Sequence, residues 1–141
     1  MQCVNNLTRP CSPAAPTGEW LSGINSFDYR SLLCHLPLTP LDARTIPESY
    51  LFLREVRRVP FGVQFGDGRE LAGLASPRDP VLLLENDGVQ VCGASVLDAF
   101  DRLEVLESTA EAMINSRPLG AMVPMSEAAI AELDAAFAKG E

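Results

Sequence analysis

Apolar positions change their period near residue 95, and the change separates strands from helices in the second half of the chain. Val81–Glu85 (VLLLE) and Val89–Cys92 (VQVC) are short, nearly continuous apolar runs of the length of a buried strand. Asn86-Asp87-Gly88 lies between them. Asp-Gly is a strong hairpin signal because both residues tolerate positive φ, so the two runs are expected to pair about this turn. After Gly93 the spacing becomes helical. Ser95 is placed to cap a helix with Asp98 as its capping-box partner. Leu97, Phe100, Leu103, Leu106, Ala110, Met113 and Ile114 mark its expected buried stripe, and Asp98, Asp101, Glu104, Glu107 and Glu111 mostly line the wet side. Pro118 and Gly120 stop this helix. A last helix opens at Ser126 and is expected to bury Ile130, Leu133 and Phe137.

Upstream the signals are shorter. Pro47-Glu48-Ser49 suits the start of a helix, with proline pre-set for the first turn and a carboxylate at its positive end. Val59-Pro60-Phe61 reads as a short strand entering Gly62–Gly68, whose three glycines permit unusual backbone angles. Arg69–Ala75 reads as one or two helical turns with Leu71 and Leu74 inward, ended by Ser76-Pro77. Residues 1–18, with Pro10, Pro13 and Pro16, read as an irregular lead-in to a single domain over residues 19–141. Residues 19–45 have no clear period, since Gly23, Pro37 and Pro40 interrupt any long element.

Charge narrows the function classes. The net charge of −8 is concentrated in residues 95–141, where nine acids face Arg102, Arg117 and Lys139. A surface of that sign repels a phosphate backbone, which argues against nucleic acid as a partner. No apolar run approaches the roughly 20 residues of a membrane span, and no secretory signal opens the chain, so a cytoplasmic protein without a membrane partner is expected. Cys3, Cys11, Cys34 and Cys92 have no CxxC spacing and read as structural or unpaired thiols. Arg54, Arg57 and Arg58, set beside Glu48 and Glu55, read as a solvated face. Ser22 and Ser31 near His35 lack the orienting acid of a hydrolase.

Taken in order, the segments over residues 41–139 resemble the class II aldolase/adducin family. LDARTIPESYLFLREVRRVPF resembles the stretch after that family's metal-binding loop. FGDGREL resembles its glycine-containing turn into a short helix. VLLLENDGVQVCGASVLDAFDRLEVLE resembles its strand, Asn-His-Gly turn, second strand and Glu-Val-Leu-bearing helix, and PMSEAAIAELDAAF its closing helix. The resemblance implies a three-layer α/β/α sandwich with a mainly antiparallel sheet, here incomplete at its N-terminal side. It also implies a zinc-like divalent ion on three histidines that polarises a sugar-phosphate carbonyl, with a carboxylate moving protons.

At the catalytic positions this chain departs from that pattern. It contains one histidine, so three imidazoles cannot assemble. Leu33-Cys34-His35-Leu36-Pro37 overlays the family's HxHxP, which keeps His35 as a ligand and places Leu33 at the other position. Asp87 falls at the third ligand. His35 and Asp87 are therefore the candidate metal ligands, with Glu85 beside them, although Asp87 also reads as an ordinary hairpin residue. Phe61 stands where some aldolases carry a proton-transferring tyrosine. No catalytic residue is assigned, since Glu19 and Asp28 are poorly placed to supply the missing carboxylate. These departures point to a shortened or degenerate relative of lyases and epimerases acting on small sugar phosphates, with weak or no activity. An active form would need zinc or another divalent cation. The alternative is a non-enzymatic interaction module resembling the adducin head. An incomplete sheet with an open edge further predicts a homo-oligomer.

Overall fold

A computed structural model describes residues 2–5 and 41–137. Four strands form one mixed sheet: β1 (Gln2–Asn5), β2 (Val56–Val59), β3 (Val81–Leu84) and β4 (Val89–Gly93), in the spatial order β1-β4-β3-β2. The β1–β4 and β3–β4 pairs are antiparallel, whereas β2 runs parallel to β3 with Val56 opposite Val81 and Val59 opposite Leu84. The sheet is thus mainly antiparallel, as expected. Two boundaries differ from expectation. The strand near residue 59 begins at Val56 and ends before Pro60, which has no N–H to donate to a ladder. Gln2–Asn5 is a strand rather than part of an irregular segment; it precedes the first proline and pairs along the free edge of β4. His35 and Leu33 lie outside the described residues.

Alternation along β3 sends its side chains to two cores, because successive residues of a strand point to opposite faces. Val81 and Leu83, with Val89 and Val91 of β4, pack on one face against Leu53 of helix α1 (Pro47–Leu53) and Leu106 and Ala110 of helix α3 (Val96–Ser116). Leu82 and Leu84 meet Val59 and Leu71 on the other face, where the short helix α2 (Arg69–Leu74) lies. Every residue of β3 and β4 is buried, the polar Gln90 included, which explains why β3 is apolar at four consecutive positions rather than alternating. Helices on both faces give the expected three layers. Among the described residues no helix is long and apolar enough to cross a membrane.

Helix α3 starts as its sequence foretells. Ser95 Oγ accepts the Asp98 N–H at 3.1 Å, and Asp98 Oδ2 accepts the Ala94 N–H at 2.7 Å. Its buried face is shifted from the expected stripe. Ala99, Leu106, Thr109 and Ala110 are buried, while Leu97 is 68% and Phe100 44% exposed. Leu97 and Phe100 lie on the exposed side of this turn, whereas Ala99 between them is fully buried and its backbone lies against Gly93 of β4. Thr109 is buried because it is paired: it donates to the Val105 carbonyl at 2.6 Å and bonds Ser49 of α1 at 2.6 Å, which ties the two helices by a polar contact.

The closing helix α4 (Glu127–Phe137) buries Ile130 but leaves Phe137 55% exposed, contrary to its apolar spacing. It is held by polar contacts instead. Arg44 pairs with Glu127, and Tyr50 and Arg54 both meet Asp134. Cys92 also differs from the thiol reading: it is disulfide-bonded, and the β1–β4 register sets Cys3 opposite it. Spacing could not reveal this, because the two strands are separated by most of the chain.

Candidate functional site

The β3–β4 turn is the place to test the candidate chemistry. Leu84 N–H bonds the Gly88 carbonyl at 2.8 Å and Asp87 N–H returns to the Leu84 carbonyl at 3.2 Å. Asn86, at φ 55°, takes the left-handed position that the reversal requires; Gly88 has no positive φ. The turn is therefore built on Asn86 rather than on Asp-Gly, and asparagine tolerates that region better than most residues.

Asp87 and Glu85 stand at the rim of this turn, Asp87 engaged with the loop Gly62–Gly68 and Glu85 with the residues just before it. Asp87 Oδ2 accepts from Gln64 Nε2 at 3.1 Å, while Gln64 Oε1 accepts the Gly62 N–H at 3.0 Å. Glu85 Oε2 accepts the Phe61 N–H at 3.3 Å, and its other oxygen lies 3.8 Å from Arg58. The amide of Gln64 thus bridges turn and loop. Two left-handed glycines, Gly62 (φ 107°) and Gly68 (φ 80°), bracket the segment that this bridge fixes. Phe61 and Phe65 pack edge to face at 5.5 Å on the outer side, and each is about 60% exposed.

A divalent ion of the kind the resemblance implies does not fit this donor set. Asp87 accepts a hydrogen bond from an amide and Glu85 one from a backbone N–H, Glu85 also lies 3.8 Å from the Arg58 guanidinium, and the chain's single histidine cannot supply three imidazoles. Among the described residues no three His, Cys, Asp or Glu side chains come together to hold a metal. Phe61 presents an apolar ring where a hydroxyl would move a proton, so it can pack but not act as an acid. The arginines read from sequence as one solvated face are separated: Arg54 meets Asp134, Arg57 lies 3.3 Å from Asp79, and Arg58 faces Glu85. The sequence missed Gln64. Its position inside a glycine-rich stretch was visible, but nothing in that stretch pointed to its partner 23 residues away.

Among the described residues, clefts also lie elsewhere. One, of about 370 Å³ between α1 and α3, has an apolar floor of Ile46, Phe52 and Val105 and an acidic rim of Glu48, Asp101 and Glu104. Another, of about 450 Å³ between α1, α4 and the segment before β3, contains Arg44, Tyr50, Arg54 and Arg78. Burial pushes the Tyr50 phenol above its ordinary value and its hydrogen bond to Asp134 adds to this, so it remains a donor at neutral pH.

No family profile matches the chain, and no curated protein does. Solved structures do. YgbL from Klebsiella pneumoniae, described as a candidate aldolase/epimerase/decarboxylase, is 30% identical with a TM-score of 0.58 over 74% of this chain and 52% of its own. YgbL from Escherichia coli, described in the same words, is 28% identical with a TM-score of 0.57 over the same shares. An aldolase II superfamily protein from Pseudomonas syringae, 21% identical, covers 75% of this chain and 44% of its own at a TM-score of 0.54, and at that identity it bears on the fold alone. The chain spans about half the length of the solved structures it matches. The chain thus shares the α/β fold of these aldolase-type neighbours, over about half of their length.

Proposed function

We propose that this chain is a degenerate relative of the metal-dependent lyases and epimerases that act on small sugar phosphates, with weak or no activity of that kind. The observation that carries this reading is the use of Asp87. The residue aligned with the family's third metal ligand spends its carboxylate on Gln64, and Glu85 beside it holds Phe61 and Arg58. A rim that would grip an ion serves instead to fasten the Gly62–Gly68 loop. Calorimetric titration with zinc and with manganese should therefore give the same trace for the wild type and for Asp87→Ala. Pentose and hexose phosphates should show no cleavage or epimerisation above the buffer rate with either ion. Tight binding that disappears in Asp87→Ala, together with turnover of a sugar phosphate, would overturn the reading.

A second reading is favoured by the exposed ring pair of Phe61 and Phe65, which leaves a large apolar surface beside β2, an outer strand of the described sheet. It makes the chain an interaction module that associates with further copies of itself. Sedimentation velocity should then show a species heavier than the 15.2 kDa monomer, and the double variant Phe61→Ser/Phe65→Ser should shift it to monomer. A wild-type protein that stays monomeric at high concentration would end this reading.

A further inference from the structure

The cleft of about 450 Å³ lies at the opposite end of β3 from Asp87. Arg78 precedes that strand and Asp87 follows it. Three guanidinium groups line it, from Arg44 before α1, Arg54 at its end and Arg78 in the segment leading to β3. Each has a carboxylate partner: Glu127 at 2.6 Å, Asp134 at 3.0 Å and Glu55 at 3.3 Å respectively. All three pairs are substantially exposed, and such pairs hold weakly because water screens them and long side chains must be ordered to form them.

Two of the three counter-ions come from one element. Glu127 and Asp134 sit in the first and last turns of α4, a helix that is otherwise anchored by Ile130 and by the bond from Met125 N–H to the Arg44 carbonyl at 2.9 Å. With α4 in place, three arginines face three acids and the cleft is neutral. Without its two carboxylates, three arginines would face Glu55 alone, leaving a charge of +2 around a concave site.

Arg54 carries a further sign of use. Its backbone sits at φ 54°, ψ −112°, a region that few residues other than glycine enter. That conformation ends α1 and keeps the guanidinium 5.3 Å over the Tyr50 ring, where it reaches the carboxylate that Tyr50 also donates to, at 3.0 Å. A guanidinium and a phenol that converge on the Asp134 carboxylate, with Arg44 and Arg78 lining the same cleft, would equally receive the oxygens of a tetrahedral dianion. Phosphate offers more acceptor oxygens and more charge than the single carboxylate it would replace.

We propose that Arg44, Arg54, Arg78 and Tyr50 form a binding site for a phosphate group, free or as an ester, for which Glu127 and Asp134 of α4 are the resident competitors. The helix then works as an internal plug: the anion binds as α4 gives up its ion pairs. This site shares no residue with the Asp87 turn, so the proposal stands apart from the degenerate-lyase reading and fails separately from it.

The test uses inorganic phosphate as the probe, titrated into the full chain at low ionic strength and followed by 31P line broadening. Asp134→Asn removes one competitor and should bind phosphate about tenfold more tightly than the wild type. Arg54→Gly removes a guanidinium while glycine takes up φ 54° freely, and it should lose the binding. Arg44→Gln, at a position with ordinary backbone angles, should weaken it as well. Displacement by glycerol phosphate would identify an ester as the better ligand, and failure to displace would identify the free ion; both support the site. The proposal is overturned if neither the wild type nor Asp134→Asn broadens the signal up to about 10 mM phosphate, or if Arg54→Gly, folded by circular dichroism, binds as the wild type does.

Discussion

Gly93→Ala should destabilise this protein by about 3 kcal/mol, through overpacking and a damaged helix cap, which for a chain of this length lowers Tm by roughly 10 °C. The reason is a close approach rather than a backbone angle. A Cβ built on Gly93 would lie 2.6 Å from the Ala99 nitrogen and 2.7 Å from Asp98 Oδ2. The carboxylate could swing aside, but only by giving up its bond to Ala94 N–H. The Ala99 backbone belongs to the first turn of α3 and can move only if the helix lifts from the end of β4. Thermal denaturation of the two proteins would check this. A Tm within about 2 °C of the wild type would mean that α3 docks less tightly than its contacts indicate.

Leu106→Ala should cost about 3–4 kcal/mol, whereas Leu97→Ala on the same helix should change stability by no more than about 0.5 kcal/mol. Both leucines fall on the apolar stripe read from the sequence. Leu106 is fully buried against Val81, Leu83, Val89 and Val91, and its truncation opens a cavity between helix and sheet. Leu97 is 68% exposed and leaves nothing behind when removed. Urea denaturation curves of the two variants measure the difference directly. Equal losses would show that the first turn of α3 is covered in solution, as it would be in an oligomer.

The contrast between these leucines also explains what could and could not be read in advance. Local chemistry was legible. Ser95 and Asp98 make the helix start they announce, although the strand read across Pro60 ends before it. The runs at residues 81–84 and 89–92 are strands, because their length and the turn between them are set by near neighbours in sequence. The candidate site was less legible. The sequence placed Asp87 in the turn and noted both a hairpin residue and a ligand position. Its contact with Gln64, which reaches it from a different loop, could not be read there. Arg54 likewise looked like one of three neighbouring cations, and only the placement of α4 gave it Asp134 as a partner.

By itself the sequence therefore determined the order of elements from Pro47 onward, the start of α3 and the pairing of β3 with β4. Each of these follows from residue identity and short-range geometry. Tertiary structure alone decided which apolar residues of α3 and α4 are covered, that β2 lies parallel to β3, and that the acids of the turn are committed to a neighbouring loop. Periodicity says that a face is apolar but not how far the opposing sheet extends beneath it. The partner of a charged or amide side chain is set by which chain segments meet in space, and that depends on the packing of the whole domain.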